Sequence, residues 1–165
     1  MTNTSQPILV LTTGGTIDKV YFDALSEFQV GESQLGKVLE VARVAVPFTI
    51  RELMRKDSLE LDDADRDAIA AAVEAAGTDR IVITHGTDTM TRTAARLAGI
   101  PGKTVVLVGA LAPARFAESD AAFNLGMAFA CAQVAPPGVW ITMNGTVFDA
   151  AHVTKDRDQG RFVAV

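Results

Sequence analysis

Little in this chain of 165 residues invites chemistry based on sulfur, metal or nucleic acid. Its one cysteine, Cys131, excludes an internal disulfide, and its apolar neighbours in a helix-like stretch mark it as a buried, inert thiol. Only two histidines occur, His85 and His152, and with no cysteine partner they make no metal-ligand set. Both read as hydrogen-bonded structural groups. No basic cluster interrupts a net charge of −5, which argues against nucleic acid or an anionic membrane surface as partner. No apolar run approaches the roughly 18–20 residues that span a bilayer. The opening segment, Met1 to Gln6, lacks the basic n-region and apolar h-region of a signal peptide, so the cytoplasm is the expected compartment. The phosphate loop G-x-x-x-x-G-K-[ST] and the dinucleotide fingerprint G-x-G-x-x-G are both missing. With 48% hydrophobic and 21% charged residues, the expectation is one globular domain with a real core.

What is present alternates between strand and helix. Short apolar runs at Pro7–Thr12, Val44–Leu53, Ile81–Thr84, Thr104–Val108 and Val139–Met143 read as strands, with a short terminal one at Arg161–Val165. Pro47 interrupts or edges the second of these. Between them lie helical stretches. Ser33 is expected to cap a short one through Leu35, Val38, Leu39 and Ala42. Asp62 or Asp63 opens another with Ile69, Val73 and Ala76 on one face, closed by Gly77. Asp88 is placed to cap a third, which runs to Leu97. Ser119 or Asp120 caps a fourth, with Phe123, Met127, Ala130, Cys131 and Val134 facing inward. Residues 14 to 33 show no convincing periodicity and read as a long functional loop, such as an active-site lid. The implied fold is α/β: a Rossmann-like three-layer sandwich, with a mostly parallel sheet and helices on both faces.

Two threonine-rich segments follow two of these strands: Thr13-Gly14-Gly15-Thr16-Ile17 and His85-Gly86-Thr87-Asp88-Thr89-Met90. Ligands of open α/β sheets bind outside the carboxyl ends of strands. The chain therefore delivers the hydroxyls of Thr16 and Thr87 and the carboxylate of Asp88 to one sheet edge, and Val153-Thr154-Lys155 adds an amine. Hydroxyl, carboxylate and amine together can activate an oxygen nucleophile. Each residue also has a plainer reading. Gly14-Gly15 alone says only that a turn lies near a ligand. Asp88 as a helix cap would explain its own position, though not the whole Thr-Asp-Thr cluster at a helix start, where free N–H groups favour a bound carboxylate. Ser58 before Leu59-Glu60 fits a turn, and Lys155 beside Asp156, Arg157 and Asp158 fits a solvated surface.

Taken together with Val108-Gly109-Ala110, Phe123-Asn124-Leu125 and Met143 to Asp149, these motifs resemble the bacterial-type L-asparaginase/glutaminase family over nearly the whole chain. The resemblance corresponds to the larger N-terminal domain of ordinary members. The expectation is therefore a single domain, 1–165, with no C-terminal domain. The resemblance implies that Thr16 attacks the side-chain amide carbon of asparagine and forms an acyl-enzyme, with a loop tyrosine assisting. Tyr21 is the one tyrosine in the chain, although an alignment on Gln29-Val30-Gly31 puts Phe28 at the usual tyrosine position. It implies a second triad of Thr87, Asp88 and Lys155, with Asp88 also binding the substrate ammonium. It implies that Asp57-Ser58 holds the substrate α-carboxylate and that the Ala110 carbonyl accepts from the amide nitrogen. Gly15 and Gly86 let the substrate approach, with oxyanion donors around Gly15.

The activity this implies is hydrolysis of L-asparagine to L-aspartate and ammonia, with no metal or organic cofactor. Two alternatives stand beside it: a non-catalytic module that binds asparagine or aspartate, and a hydrolase of a related amide such as glutamine or a small D-amide. In two-domain members a partner's C-terminal domain supplies an acid for the substrate ammonium. Here Asp88, with a nearby acid such as Glu60, takes that task. Leu59 stands where many members have a polar residue. Weak binding and a homodimer or higher homo-oligomer are expected.

Overall fold

The computed structural model describes residues 6–165, so the reading of the first five residues as no leader lies outside the described residues. The chain opens with β1 (Ile8–Gly14), a 3₁₀ turn (Thr16–Asp18), β2 (Lys19–Phe22), β3 (Glu27–Val30), α1 (Leu35–Val41) and β4 (Phe48–Lys56). A second 3₁₀ turn (Ser58–Glu60) leads to α2 (Asp63–Glu74), β5 (Arg80–Thr84), α3 (Met90–Leu97), β6 (Thr104–Val108) and α4 (Ala121–Val134). Then come β7 (Gly138–Met143), β8 (Thr146–Asp149), β9 (Val153–Asp156) and β10 (Arg161–Ala164). Six strands form one sheet in the order β4-β1-β5-β6-β7-β8, parallel except for β8. The chain leaves β1 for one side and returns on its other side as β5. The crevice beyond β1 and β5 is therefore the switch point at which such sheets bind ligands.

Successive side chains of a strand face opposite ways, and the two cores follow from that alternation. Leu11, Ile81, Ile83, Val105 and Leu107 pack under α2 and α3 through Ile69, Val73, Met90, Ala94 and Leu97. Val10, Val82, Val106 and Val108 pack under α1 and α4 through Leu35, Leu39, Leu125, Ala128 and Phe129. This is the expected α/β sandwich with helices on both faces.

Several local expectations are corrected. Residues 14–33 are not a featureless loop. Lys19–Phe22 and Glu27–Val30 pair as an antiparallel hairpin, with Tyr21 opposite Phe28. Both faces of that hairpin are largely exposed, so it carries no half-buried alternation to read. Pro47 precedes β4 instead of interrupting it, and its carbonyl accepts from Ile8 N–H at 2.9 Å. Helix α4 buries Ala121, Leu125, Ala128, Phe129 and Ala132 and leaves Phe123, Ala130 and Val134 exposed. Of the residues expected inside, Cys131 is buried. The helix is apolar nearly all round, so periodicity could not choose its face. Asn124 does, by donating to the Gly109 carbonyl at 3.0 Å. Asp62 caps α2 with a reciprocal bond to Asp65, as expected for one of the two candidates. Asp88 caps nothing: Thr89 occupies the N-cap position of α3, and the Asp88 carboxylate is turned elsewhere.

Candidate functional site

Glycine brings the two threonine motifs together. Gly15 has φ 88°, and a Cβ there would stand 2.4 Å from Gly86 N. The backbones before Thr16 and before Thr87 are therefore in contact, which no other residue would allow. Thr13 Oγ1 donates to the Thr84 carbonyl at 2.7 Å and clamps the same two strand ends. Gly86 packs in turn on Ser58: a Cβ on it would stand 2.6 Å from Ser58 Cβ.

His85, just before Gly86, is fully buried. Its Nδ1 lies 2.7 Å from the Gly86 carbonyl and must donate to it, so Nε2 accepts from the Thr93 hydroxyl, also at 2.7 Å. Burial drives the His85 pKa down to about 4, against the Gly86 hydrogen bond, and the nearby Arg66 lowers it further. This is the structural histidine expected. His152 is different: it is exposed and stands 3.4 Å from Asp149.

Lys155 comes from β9, whose Val153 is buried in the core under α2 and α3. Alternation along the strand sends Lys155 the same way. Its Nζ donates to Thr87 Oγ1 at 2.7 Å and to Asp88 Oδ1 at 2.8 Å. Thr87 is buried, and the Lys155 and Asp88 side chains are 19% and 34% exposed, so this group faces outward from a walled end. Arg157, read from the sequence only as part of a solvated charged stretch, adds a guanidinium 3.8 Å from Asp88.

The Asp57-Ser58 segment also reaches this edge. Asp57 caps the short turn, taking Leu59 N–H at 3.1 Å, while Glu60 Oε2 takes Asp57 N–H at 3.0 Å. Glu60 is thus engaged in a capping box and not presented to a substrate. Ser58 is buried, and its hydroxyl has no partner among the described residues. Its carbonyl accepts from Thr89 Oγ1 at 2.7 Å, which anchors the turn to the second motif. Lys19, another residue with no sequence signal, pairs with Asp57 at 2.7 Å. Burial would raise the Asp57 pKa, but the Lys19 ammonium, the Leu59 N–H and the more distant Lys155 outweigh it, and the carboxyl titrates below its usual range.

Ala110 is buried just past β6, in a turn held by the Asp120 carboxylate, which accepts from Leu111 and Ala112 N–H. Two expectations meet resistance. The Gly15 N–H, expected near an oxyanion, donates instead to the Lys56 carbonyl at 3.0 Å. Edge pairing of β1 with β4 uses that donor up. Tyr21 lies out on the hairpin, 52% exposed, its ring 5.3 Å from that of Phe28, with no hydrogen bond to Thr16. Thr16 itself is half-buried at the start of its 3₁₀ turn, and its hydroxyl has no partner among the described residues. The structure thus assembles Thr87, Asp88 and Lys155 and sets Gly15, Gly86, Asp57 and Ser58 against them. It leaves Tyr21 apart.

Known proteins carry the same arrangement of chain. A family model described as "Asparaginase, N-terminal" matches residues 7–161. The chain is similar to the probable periplasmic L-asparaginase of Haemophilus influenzae, 34% identical over 163 residues, which cover 90% of this chain and 46% of that protein. It is also similar to L-asparaginase 2 of Escherichia coli, 33% identical over 159 residues, with 90% and 46% covered. The solved thermostable L-asparaginase of Thermococcus kodakarensis superposes with a TM-score of 0.82 at 27% identity, over 96% of this chain and 51% of that one. The chain spans about half the length of these relatives.

Proposed function

The chain belongs to the asparaginase family, and from that premise we propose that it hydrolyses L-asparagine to L-aspartate and ammonia. One observation carries the reading furthest: the Lys155 ammonium stands 2.7 Å from the Thr87 hydroxyl and 2.8 Å from the Asp88 carboxylate, in a motif whose Gly86 lies against the glycine that precedes Thr16. In the proposed reaction Thr16 Oγ bonds to the side-chain amide carbon. Its proton passes to the leaving nitrogen, which departs as ammonia. Water then cleaves the ester and returns a proton to Thr16. A fixed cation beside Thr87 favours the ionised hydroxyl and makes it a competent acid/base group. Asp88 holds the substrate ammonium, the unpartnered Ser58 hydroxyl its α-carboxylate, and the Ala110 carbonyl its amide nitrogen. With Gly15 N–H engaged, the oxyanion donors belong to the Gly86–Thr87 turn. Every group in this scheme is a protein group, so it calls for no cofactor.

For Tyr21 to assist Thr16, the hairpin must move inward. A homodimer or higher oligomer is proposed on the strength of exposed Val41, Phe123 and Val134, apolar side chains of a kind that association covers. The cytoplasm remains the proposed compartment. Tyr21's position favours one further reading, a module that binds asparagine or aspartate without turnover.

An ammonia-release assay on L-Asn, L-Gln and D-Asn, with calorimetric titration of L-Asp alongside, tests these readings. The expected result is release from L-Asn that Thr16→Ala abolishes, with the fold intact by circular dichroism. Binding of L-Asp without release from any amide would select the binding module. Equal activity in Thr16→Ala would remove the nucleophile assigned here.

A further inference from the structure

The β2–β3 hairpin and the turn that presents Ser58 are joined by a single ion pair among the described residues. Lys19 opens β2, immediately after the turn that begins with Thr16. Its Nζ stands 2.7 Å from Asp57 Oδ2, and each side chain is 27% exposed. Below Lys19 the hairpin is clamped at its base. Gly31 N–H donates to the Asp18 carbonyl at 2.9 Å, and Gln34 N–H to the buried Asp18 carboxylate at 3.1 Å. Above Lys19, Tyr21, Phe22 and Phe28 are about half exposed, and the arms gain a further contact from the Phe28 ring against Phe116, 6.0 Å between centroids.

The other end of the pair is fixed with equal care. Asp57 uses one carboxylate oxygen for Leu59 N–H and the other for Lys19, while its own N–H goes to Glu60. The orientation of Asp57 therefore sets the next residue's backbone. That residue is Ser58, whose buried hydroxyl lacks a partner and lies where a Cβ on Gly86 would be 2.7 Å away. A donor that must meet a ligand carboxylate has little room for error. Without Lys19 the Asp57 carboxylate is free to turn away from Leu59 N–H, and the short turn loses its cap.

We propose that Lys19 is a positioning residue: its ion pair with Asp57 ties the hairpin to the Ser58 turn, holding the Ser58 hydroxyl ready for a substrate carboxylate. This rests on the reading of Ser58 as the α-carboxylate donor. Lys19 touches neither the reacting carbon nor the leaving nitrogen, so its loss at the Ser58 turn acts first on substrate binding.

The test compares wild type, Lys19→Ala and Lys19→Arg in two readouts. In steady-state kinetics with L-Asn, Lys19→Ala is expected to raise KM by about fivefold, which is what a partly exposed pair can supply, with a smaller fall in kcat from the loosened Tyr21 strand. Lys19→Arg, which keeps the charge, is expected to restore most of the loss. In amide hydrogen exchange on the same proteins without ligand, Leu59 and residues 19–30 are expected to exchange faster in Lys19→Ala and at wild-type rates in Lys19→Arg. If wild type releases no ammonia, the asparaginase reading fails and exchange alone decides the latch. Unchanged exchange in Lys19→Ala overturns it, as does an unchanged KM in an active enzyme or a fall in kcat with KM constant.

Discussion

The two sides of the candidate site are built on opposite terms. On one side, the ends of β1 and β5 are locked backbone to backbone. Gly15 sits against Gly86, Thr13 is bonded across to Thr84, and neutral His85 is satisfied on both ring nitrogens beneath them. Thr87, Asp88 and Lys155 are already in hydrogen-bonding order on that base. On the other side, the β2–β3 hairpin exposes its aromatic rings, and its hydroxyl-bearing Tyr21 is about half exposed with its ring against that of Phe28. The first side is preorganised electrostatics, whose cost was met when the protein folded. The second is a low-stability element of the kind from which moving parts of enzymes are drawn. Charge placement belongs to the sheet, and access belongs to the hairpin.

The strongest way to break this division is to discharge the rigid side. Lys155→Met removes the donor shared by Thr87 and Asp88 and leaves the backbone untouched. Turnover of L-Asn is expected to fall about a thousandfold, the scale seen when acid/base and electrostatic groups are removed. Stability should move by less than about 1 kcal/mol, because the pair is partly exposed and partly screened. Single-turnover kinetics and chemical denaturation measure the two separately. A large loss of stability with little loss of rate would make the triad a structural clasp.

Next in size is the glycine contact itself. Gly15→Ala must place a methyl 2.4 Å from Gly86 N in a backbone of positive φ, and neither neighbour is a flexible side chain. A cost of about 3 kcal/mol is expected, lowering the melting temperature by about 6–12 °C. Gly77→Ala serves as the control, since a Cβ there meets nothing within 4 Å. It should be neutral or slightly stabilising. Equal melting temperatures for the two variants would mean that the strand ends are not in close contact.

The buried histidine gives the rigid side a pH dependence. The folded His85 pKa is depressed from 6.5 to about 4, so the unfolded chain binds the proton first as pH falls. Stability is therefore full above about pH 6.5, falls as pH drops through that window and levels off below about pH 4. The loss is on the order of 3 kcal/mol at most. Urea midpoints from pH 7.5 to 4.5 read it, and His85→Asn should flatten the slope while lowering the whole curve. An unchanged slope in that variant would assign the acid sensitivity to carboxylates.

How much of this was legible beforehand depended on the range of the interactions involved. The runs Ile81–Thr84 and Thr104–Val108 announce buried strands, and the two threonine motifs stand at strand ends as their positions imply. Lys155 was legible only through its motif, because its neighbours look like any charged surface. The hairpin was hidden because a strand pair exposed on both faces has no alternation to read. The buried face of α4 depended on Asn124 reaching Gly109, and the loss of Gly15 N–H as an oxyanion donor depended on β4. Lys19 and Asp57 are far apart in the chain, and nothing local marks them as partners. The periodic and the motif-bound were readable; single long-range polar contacts were not.

The smallest effect sharpens the comparison from the hairpin side. Phe28 bridges Tyr21, at 5.3 Å between ring centroids, and Phe116, at 6.0 Å in an edge-to-face arrangement. Phe116 lies in the loop before α4, outside both strand ends, and is itself about half exposed. An aromatic pair of this kind contributes about 0.5–1.5 kcal/mol, and an exposed one sits at the low end. Phe116→Ala should therefore change the global melting temperature by no more than about 3 °C. It should nevertheless loosen the hairpin locally, raising amide exchange across residues 19–30 while leaving residues 80–89 at wild-type protection. Phe116→Leu, which keeps apolar bulk without the ring, is expected to fall between. If exchange quickens at the end of β5 as well, the two sides are one cooperative unit and the division drawn here does not hold. If neither segment responds, the aromatic contact does not restrain the hairpin, and the Lys19–Asp57 pair and the clamp at Asp18 hold it alone.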